Sequence, residues 1–421
     1  MRRVVVTGCG VVSPIGSGKE NFFNALEKGK PGIDDITLFD AGTFPVRIAG
    51  EVKDLEVGHL LENFPGAKGI SDRKVFLGLS AYSEAIADSR LGEEMLRSGR
   101  TGINSGVSLE VLPIEEFHQG VDCLKDRLKN IYSDLLDREK NLQTPLDTAN
   151  RLVIGKYKIT GPGFVNCSAC AASAQAIGHS FQMIKRGDAE AFICGGFDSM
   201  INPLGIGGFS LLGALSTRNE LKGAACCPFD ARRDGAIIGE GAGMLVIEEL
   251  EQALKRKAKI YCEIVGFGSS LDAYKPTDPD PGGEGAAAAI DMALRSARLS
   301  PGKIDYINAH GTSTPKNDEI ETTAIKKIFG DQAYRIPVSS TKSMIGHLIA
   351  ACGGVEFIAC LLGFERNLIP PTINYEKKDP YCDLDYVPNQ AREWKGEYIL
   401  SNSFGFGGQN ACLILKRWPE E

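Results

Sequence analysis

The chain has 421 residues, 24% of them charged and 43% hydrophobic, and carries a formal net charge of −7. This is the profile of a globular protein long enough for two large domains or two fused halves. The acidic balance gives the molecule as a whole no attraction for nucleic acid or an anionic membrane, and neither is expected as a partner.

In chain order, the strand-like runs are Arg3–Thr7, Ala191–Gly195, Ala242–Ile247, Ile260–Gly266, Ile304–Ala309, Ile336–Thr341, Tyr398–Ser401 and Ala411–Lys416. Several are apolar on both faces, which suits sheets covered on both sides. The helix-like runs are Ala171–Arg186, Gly285–Ala297, Ile320–Phe329 and Ile345–Phe364. Strands that alternate with helices indicate an α/β class. The opening apolar run is too short for an export signal, and twelve cysteines without one fit a reducing, cytoplasmic setting with unpaired thiols. The segment Ile345–Phe364 has the length of a membrane span but holds His347 and Glu356. A carboxylate at the bilayer centre costs roughly 3 kcal/mol, so a buried soluble helix is the better reading.

A weak repeat divides the chain. Val165-Asn166-Cys167-Ser168 leads into one small-residue helix and Val338-Ser339-Ser340-Thr341 into another. Each is followed by a strand, a glycine-rich turn and a later strand. Two similar halves are expected, residues 1–255 and 256–421, with the two apolar helices back to back between two sheets and further helices outside. The apolar rhythm lapses between Glu110 and Leu152, which reads as an insertion at an edge or subunit contact, or as a solvated amphipathic helix.

Five stretches bear on the chemistry. "VVVTGCG" places Gly8 and Gly10 after a strand, but position 13 is serine, so the dinucleotide fingerprint is incomplete. "VNCSACAASAQAIGHS" holds Cys167 and Cys170 with the spacing of a metal or redox pair, yet no second pair follows to complete a zinc site. Cys170 instead stands where a strand-like run gives way to a helix. Unpaired N–H groups at a helix start favour a thiolate and can bind an oxyanion. Cys167 reads as a buried structural thiol. Of the five histidines, His59 and His118 sit in polar stretches and His179 reads as a hydrogen-bonded core residue. His310 ends a strand in "NAHGTSTPKND", and His347 begins the apolar helix in "STKSMIGHLIAACGGVE". Two histidines at junctions of a repeated half are candidate site residues. "SNSFGFGGQN" has glycines at 405, 407 and 408, which permit close backbone approach to a ligand or a tight hairpin.

Taken together, Cys170, "NAHGTSTP", "SSTKSMIGHLIAACGGVE" and "SNSFGFGG" resemble the β-ketoacyl-acyl-carrier-protein synthases of the thiolase superfamily, nearest to synthase II. The likeness runs from "RRVVVTGCGVVSPIG" to "ACLILK" and includes "GIGGFSLLGALSTRNE" and "PPTINYE". It implies a duplicated αβαβα five-layer sandwich, a homodimer, and an acyl carrier protein as partner. It implies no metal and no cofactor beyond the carrier's own phosphopantetheine. The implied reaction is decarboxylative condensation, with Cys170 as the acylated nucleophile. His310 and His347 match the donors to the developing enolate, and Lys342 matches a lysine that orients them, with Glu356 as its partner. Phe406 matches an oxyanion donor and gate. Thr312, Thr314 and Phe404 match substrate contacts, and Asp318 a supporting residue. Under this resemblance the Cys-x-x-Cys spacing is accidental.

Departures are Ala172 for a usual threonine or serine, Gln409 for a usual threonine, and Gly213 where many relatives place an arginine that faces the carrier. Arg73, Lys74, Arg232 and Arg233 are the candidates for a basic docking patch. A non-elongating partner subunit would typically lack the cysteine. A thiolase acting on coenzyme A thioesters would carry a second cysteine in the C-terminal glycine loop, where this chain has "FGFGG".

Overall fold

The computed structural model describes residues 2–109 and 145–419, so most of the expected insertion, with His118, lies outside the described residues. Among the described residues the main sheet has ten strands, numbered in chain order. They are β1 (Val4–Val12), β2 (Thr101–Gly106), β3 (Gly163–Asn166), β4 (Ala191–Ser199), β5 (Glu240–Glu249), β6 (Cys262–Leu271), β7 (Tyr306–Asn308), β8 (Val338–Ser339), β9 (Tyr398–Gly405) and β10 (Gln409–Arg417).

Their spatial order is β8-β7-β9-β10-β6-β1-β5-β4-β2-β3. Read outward-in, each half has the same order: third, second, fourth, fifth, first. The directions repeat as well. β2 is parallel to β3 and β4, as β7 is to β8 and β9, while the last two strand pairings of each half are antiparallel. The halves are not two separate sheets. They join where Val4–Val6 pairs antiparallel with Cys262–Ile264.

The helices that cover the sheet are α1 (Arg73–Ser89), α2 (Thr148–Tyr157), α3 (Ala172–Arg186), α4 (Glu284–Ala297), α5 (Pro315–Phe329) and α6 (Cys352–Glu365). α3 and α6 touch each other and both halves, which makes them the central layer. α1 covers β1, β5 and β4 on one outside, with α2 beside it; α4 covers β6 and β10 on the other, with α5 beside it. This is the α/β thiolase-type sandwich. Small residues let the central layer close up: a Cβ on Gly353 of α6 would stand 2.8 Å from the Ala174 backbone nitrogen of α3. Burial of α6 is complete from Cys352 to Phe364, which is why its sequence shows no polar face. Among the described residues no helix is long and apolar enough to cross a membrane.

Three expectations need correction. The apolar run Ile345–Phe364 is not one helix. A short turn, Lys342–Ile345, ends at Gly346 with φ +73°, and α6 begins only at Cys352. Between them the His347 N–H donates to Ile237 O at 2.7 Å, so this backbone is tied to a neighbouring extended segment and cannot continue the helix. His179 is exposed, with its ring edge-on to Phe267, and is no core residue. Cys167 is exposed too, not buried.

Candidate active site

Cys170 lies in a tight turn, Ala169–Ala171, directly before α3. The other half repeats the device: a turn at Ile349–Ala351 precedes α6. In both, the first turn residue is left-handed, Ala169 at φ +48° and Ile349 at φ +49°. That conformation is costly for a β-branched residue, on the order of 1–3 kcal/mol. The surrounding hydrogen bonds hold it. Asp198 Oδ2 accepts the Ala350 N–H at 2.9 Å, and Asp198 Oδ1 accepts from Ser108 Oγ at 2.7 Å. Two helix starts are thereby aimed at one place, one from each half.

The structure brings Cys170, His310 and His347 together. One ligating atom from each lies within 4.8 Å of the others, and all three are buried. The imidazole rings meet edge-on with centroids 5.2 Å apart, and Phe404 packs against His310 with centroids 6.0 Å apart. A cavity of 330 Å³ ends on this cluster and is also lined by Thr312, Thr314, Phe404 and Phe406. Lys342, Glu356 and Asp318 are not part of its wall.

Each ring has its Nδ1 turned toward a donor. Lys342 Nζ stands 3.2 Å from His310 Nδ1 and donates to His310 O at 2.6 Å. The Ile349 N–H donates to His347 Nδ1 at 3.0 Å. Burial, the Lys342 charge and the neighbouring imidazole hold the His310 pKa well below its ordinary value; burial and Lys342 do the same to His347. Both rings are therefore neutral near pH 7. With Nδ1 accepting, the proton of each sits on Nε2, so the pair offers two N–H donors to the cavity. Metal-ligating histidines show the opposite pattern, donating their second nitrogen to a carbonyl or carboxylate. The thiol and two imidazoles thus fit a nucleophile with two donors better than a metal cage.

Lys342 is fully buried against Glu356. Burial works against its charge, but the Glu356 carboxylate outweighs it, and the lysine pKa stands above the usual value. The Cys170 thiol runs against the expectation drawn from its helix start. Burial pushes its pKa up to about 11, more than the Lys342 charge and the Phe406 and Cys170 N–H groups pull it down. The resting group is a thiol, not a thiolate. Those two N–H groups still converge at the sulfur. Gly405 makes this possible, since a Cβ there would stand 2.9 Å from the Cys170 backbone nitrogen.

The supporting residues include some that the sequence reading did not single out. Glu321 accepts the N–H groups of His310 and Gly311, both at 2.8 Å, and Asn402 Nδ2 at 3.1 Å. Burial raises its pKa to about 7. Asp318 accepts the Thr312 N–H at 2.9 Å and the Phe229 N–H at 2.8 Å, which fixes the loop that carries Thr312 and Thr314. The two threonine hydroxyls lie 2.8 Å apart. Cys352 Sγ is 3.3 Å from His347 Nδ1. An Asp or Glu after a histidine is too common for spacing alone to reveal such partners.

The four cations expected to form a docking patch are engaged internally. Lys74 is buried against Asp72, and Arg73 bonds both oxygens of buried Glu240. Arg232 pairs with Asp230 and Glu376, and buried Arg233 pairs with Asp379. Arg73 ties the start of α1 to β5, Lys74 pairs with the residue that caps α1, and Arg232, though exposed, already has carboxylate partners.

The family models for the N-terminal and C-terminal domains of β-ketoacyl synthase match residues 1–253 and 261–376. A 3-oxoacyl-[acyl-carrier-protein] synthase 2 of Coxiella burnetii is 44% identical, with 99% of each chain covered. The protein of the same name from Synechocystis is 42% identical, over 99% of this chain and 98% of its own. Among solved structures, a β-ketoacyl synthase from Burkholderia phymatum superposes with a TM-score of 0.86 at 33% identity over the whole of both chains. A type II polyketide ketosynthase, solved with its acyl-carrier protein, superposes with a TM-score of 0.85 at 34% identity, over 99% of this chain and 100% of its own. Full-length identity and both domain matches agree with the paired helix starts and the Cys170–His310–His347 cluster: the chain belongs to the β-ketoacyl synthase family.

Proposed function

We propose that this condensing enzyme extends an acyl chain by two carbons, using a malonyl group carried on an acyl carrier protein. The observation that carries the reading is the pair of neutral imidazoles, each with Nδ1 occupied, beside one thiol at the end of a cavity.

The first half-reaction moves the acyl group from the carrier thioester to Cys170 Sγ. The sulfur attacks the carbonyl carbon, the negative oxygen sits between the Cys170 and Phe406 N–H groups, and the proton leaves with the carrier's thiol. Loss of one such donor costs on the order of 3 kcal/mol. In the second, a malonyl thioester enters the vacated cavity and its carbonyl oxygen accepts from His310 and His347. The C–C bond to the carboxylate breaks and carbon dioxide departs. The resulting enolate carbon attacks the acyl-cysteine, and the Cys170 sulfur leaves as a thiolate that takes a proton from solvent. Thr312 and Thr314 bind the pantetheine arm, Phe404 packs the reacting centre, and Phe406, stacked on Phe209 at 6.1 Å, gates the passage. Lys342, held by Glu356, keeps His310 in its donating tautomer. The substrate carboxylate supplies the driving force, so the reaction calls for no resident metal or other cofactor.

A homodimer in a reducing, cytoplasmic setting is part of the same proposal. Among the described residues β3 is one of the two edge strands of the sheet, and Phe164 on it is 46% exposed, an edge suited to pairing with a second copy. The intact cysteine and histidines support an elongating enzyme over a non-elongating partner subunit, and the lack of a cysteine in Phe404–Gly408 supports it over a coenzyme A thiolase. Intact mass after incubation with a panel of acyl-carrier proteins tests the reading. Mass gain at Cys170, followed by release of a chain two carbons longer on adding malonyl-carrier protein, supports it. Acylation by coenzyme A thioesters alone overturns it.

A further inference from the structure

The two helix starts at the site are built alike, and each is faced by a strand of the other half. Cys170 is the second residue of its turn, and Ala350 is the second residue of the turn before α6. The strand ends that face them correspond as well. Phe197-Asp198-Ser199 ends β4, and Phe404-Gly405 ends β9 with Phe406 directly after it. Gly405 stands against the Cys170 N–H, where a Cβ would come within 2.9 Å of the nitrogen. Asp198 stands against the Ala350 N–H and accepts it at 2.9 Å. Glycine leaves the first N–H to the reacting group, whereas aspartate covers the second with its carboxylate.

Asp198 is fully buried. Its other oxygen accepts from Ser108 Oγ at 2.7 Å and from the Ser199 N–H at 2.9 Å. Burial raises its pKa to about 6, so the group is ionised at pH 7. A buried carboxylate fixed by several donors is a strong, well-placed acceptor. The residue it holds adjoins Ile349, whose N–H donates to His347 Nδ1 at 3.0 Å. Ile349 has a left-handed φ of +49°, which a β-branched residue does not adopt unaided. Release of Ala350 lets this turn relax and carries the Ile349 N–H away from the ring. Cys352 Sγ, 3.3 Å from the same nitrogen, is a weak donor and no substitute. His347 is then free to take the other tautomer, with Nε2 an acceptor toward the cavity.

We propose that Asp198 is a positioning residue for decarboxylation: through the Ala350 N–H it holds the turn that keeps His347 a donor to the malonyl thioester. This rests on the two half-reactions proposed above. The oxyanion donors, the Cys170 and Phe406 N–H groups, belong to the other helix start, so acyl transfer does not depend on Asp198.

The test follows both half-reactions in the full-length enzyme, in wild type, Asp198→Ala and Asp198→Asn. Alanine strands the Ala350 N–H. Asparagine keeps the size of the side chain, but its one amide oxygen cannot serve both the Ala350 and the Ser199 N–H groups. In Asp198→Ala, kcat for carbon dioxide release from malonyl-carrier protein should fall about a hundredfold with KM little changed, the cost of a donor displaced by about 1 Å. Asp198→Asn should show a smaller loss of the same kind, and it carries the test alone if circular dichroism shows that Asp198→Ala does not fold. In both, acyl mass gain at Cys170 should keep its wild-type rate. A residue of merely structural use would slow the two half-reactions alike. That result, or unchanged carbon dioxide release in every folded variant, overturns the proposal. Absence of carbon dioxide release from the wild type would instead defeat the reaction assigned to the site, and this role with it.

Discussion

Lys342 Nζ stands 3.2 Å from Nδ1 of His310, with Glu356 on its other side. One buried cation thereby sets the tautomer of a ring, and one buried anion keeps that cation charged. Removal of the lysine alone leaves a buried carboxylate without its partner, a loss of about 3–5 kcal/mol in comparable pairs. Lys342→Met should therefore be strongly destabilised in urea unfolding, and Lys342→Met/Glu356→Met should recover most of the loss. A double variant no more stable than the single one would contradict the pairing.

The pKa of Cys170 gives a pH signature. A thiol held at about 11 by burial exposes ever more thiolate as pH rises, so alkylation by iodoacetamide should accelerate about tenfold per pH unit from pH 7 to 10. A plateau below pH 8 would mean an activated resting thiolate. Decarboxylation of malonyl-carrier protein should behave differently. The histidines are neutral well below 6.5, so its rate should cross pH 6.5 without a limb. A fall on the acid side centred there would show that one ring titrates at its ordinary value.

Gly405 is predicted to matter through space, not flexibility. Its φ is ordinary, but a Cβ would press on the Cys170 backbone 2.9 Å away and move the Phe406 N–H off the sulfur. Gly405→Ala should fold normally by circular dichroism yet acylate about a hundredfold to a thousandfold more slowly. Acylation at the wild-type rate would remove Phe406 from the oxyanion site.

Glu321 is predicted to support the His310 loop. Glu321→Ala strands the N–H groups of His310 and Gly311 and the Asn402 amide, each worth about 1–3 kcal/mol when buried unpaired. The loss in urea unfolding should exceed that of Glu321→Gln, which keeps an acceptor. Equal losses would show that the loop is held by packing alone.

Much of this was legible in the sequence because the site is assembled at element junctions. Cys170 falls where a strand-like run yields to a helix, and His310 where a strand meets a Gly-Thr loop. The repeated lead-ins at Val165 and Val338 mark the third strand of each half. β2 was missed because "TGINSG" has neither alternation nor β-branched density, and it is made a strand by pairing on both sides. α1 was passed over although Asp72 caps it and Arg90 ends it in the left-handed region. The break at Gly346 depends on a hydrogen bond to Ile237, more than a hundred residues away in the chain, and no local pattern shows it. The pairing of the docking candidates is hidden for a related reason: a basic residue carries no local sign of whether a carboxylate faces it, as Glu240 faces Arg73.

The central claim is a division of labour, in which Cys170 and the two N–H groups suffice for acyl transfer while His310 and His347 serve decarboxylation. The direct measurement is paired: acyl-enzyme mass and labelled carbon dioxide from malonyl-carrier protein, in wild type, His310→Ala and His347→Ala. Both variants should still gain acyl mass at Cys170, and both should release little carbon dioxide. A His310→Ala enzyme that decarboxylates at the wild-type rate but cannot be acylated would make His310 the base for Cys170 and contradict the account.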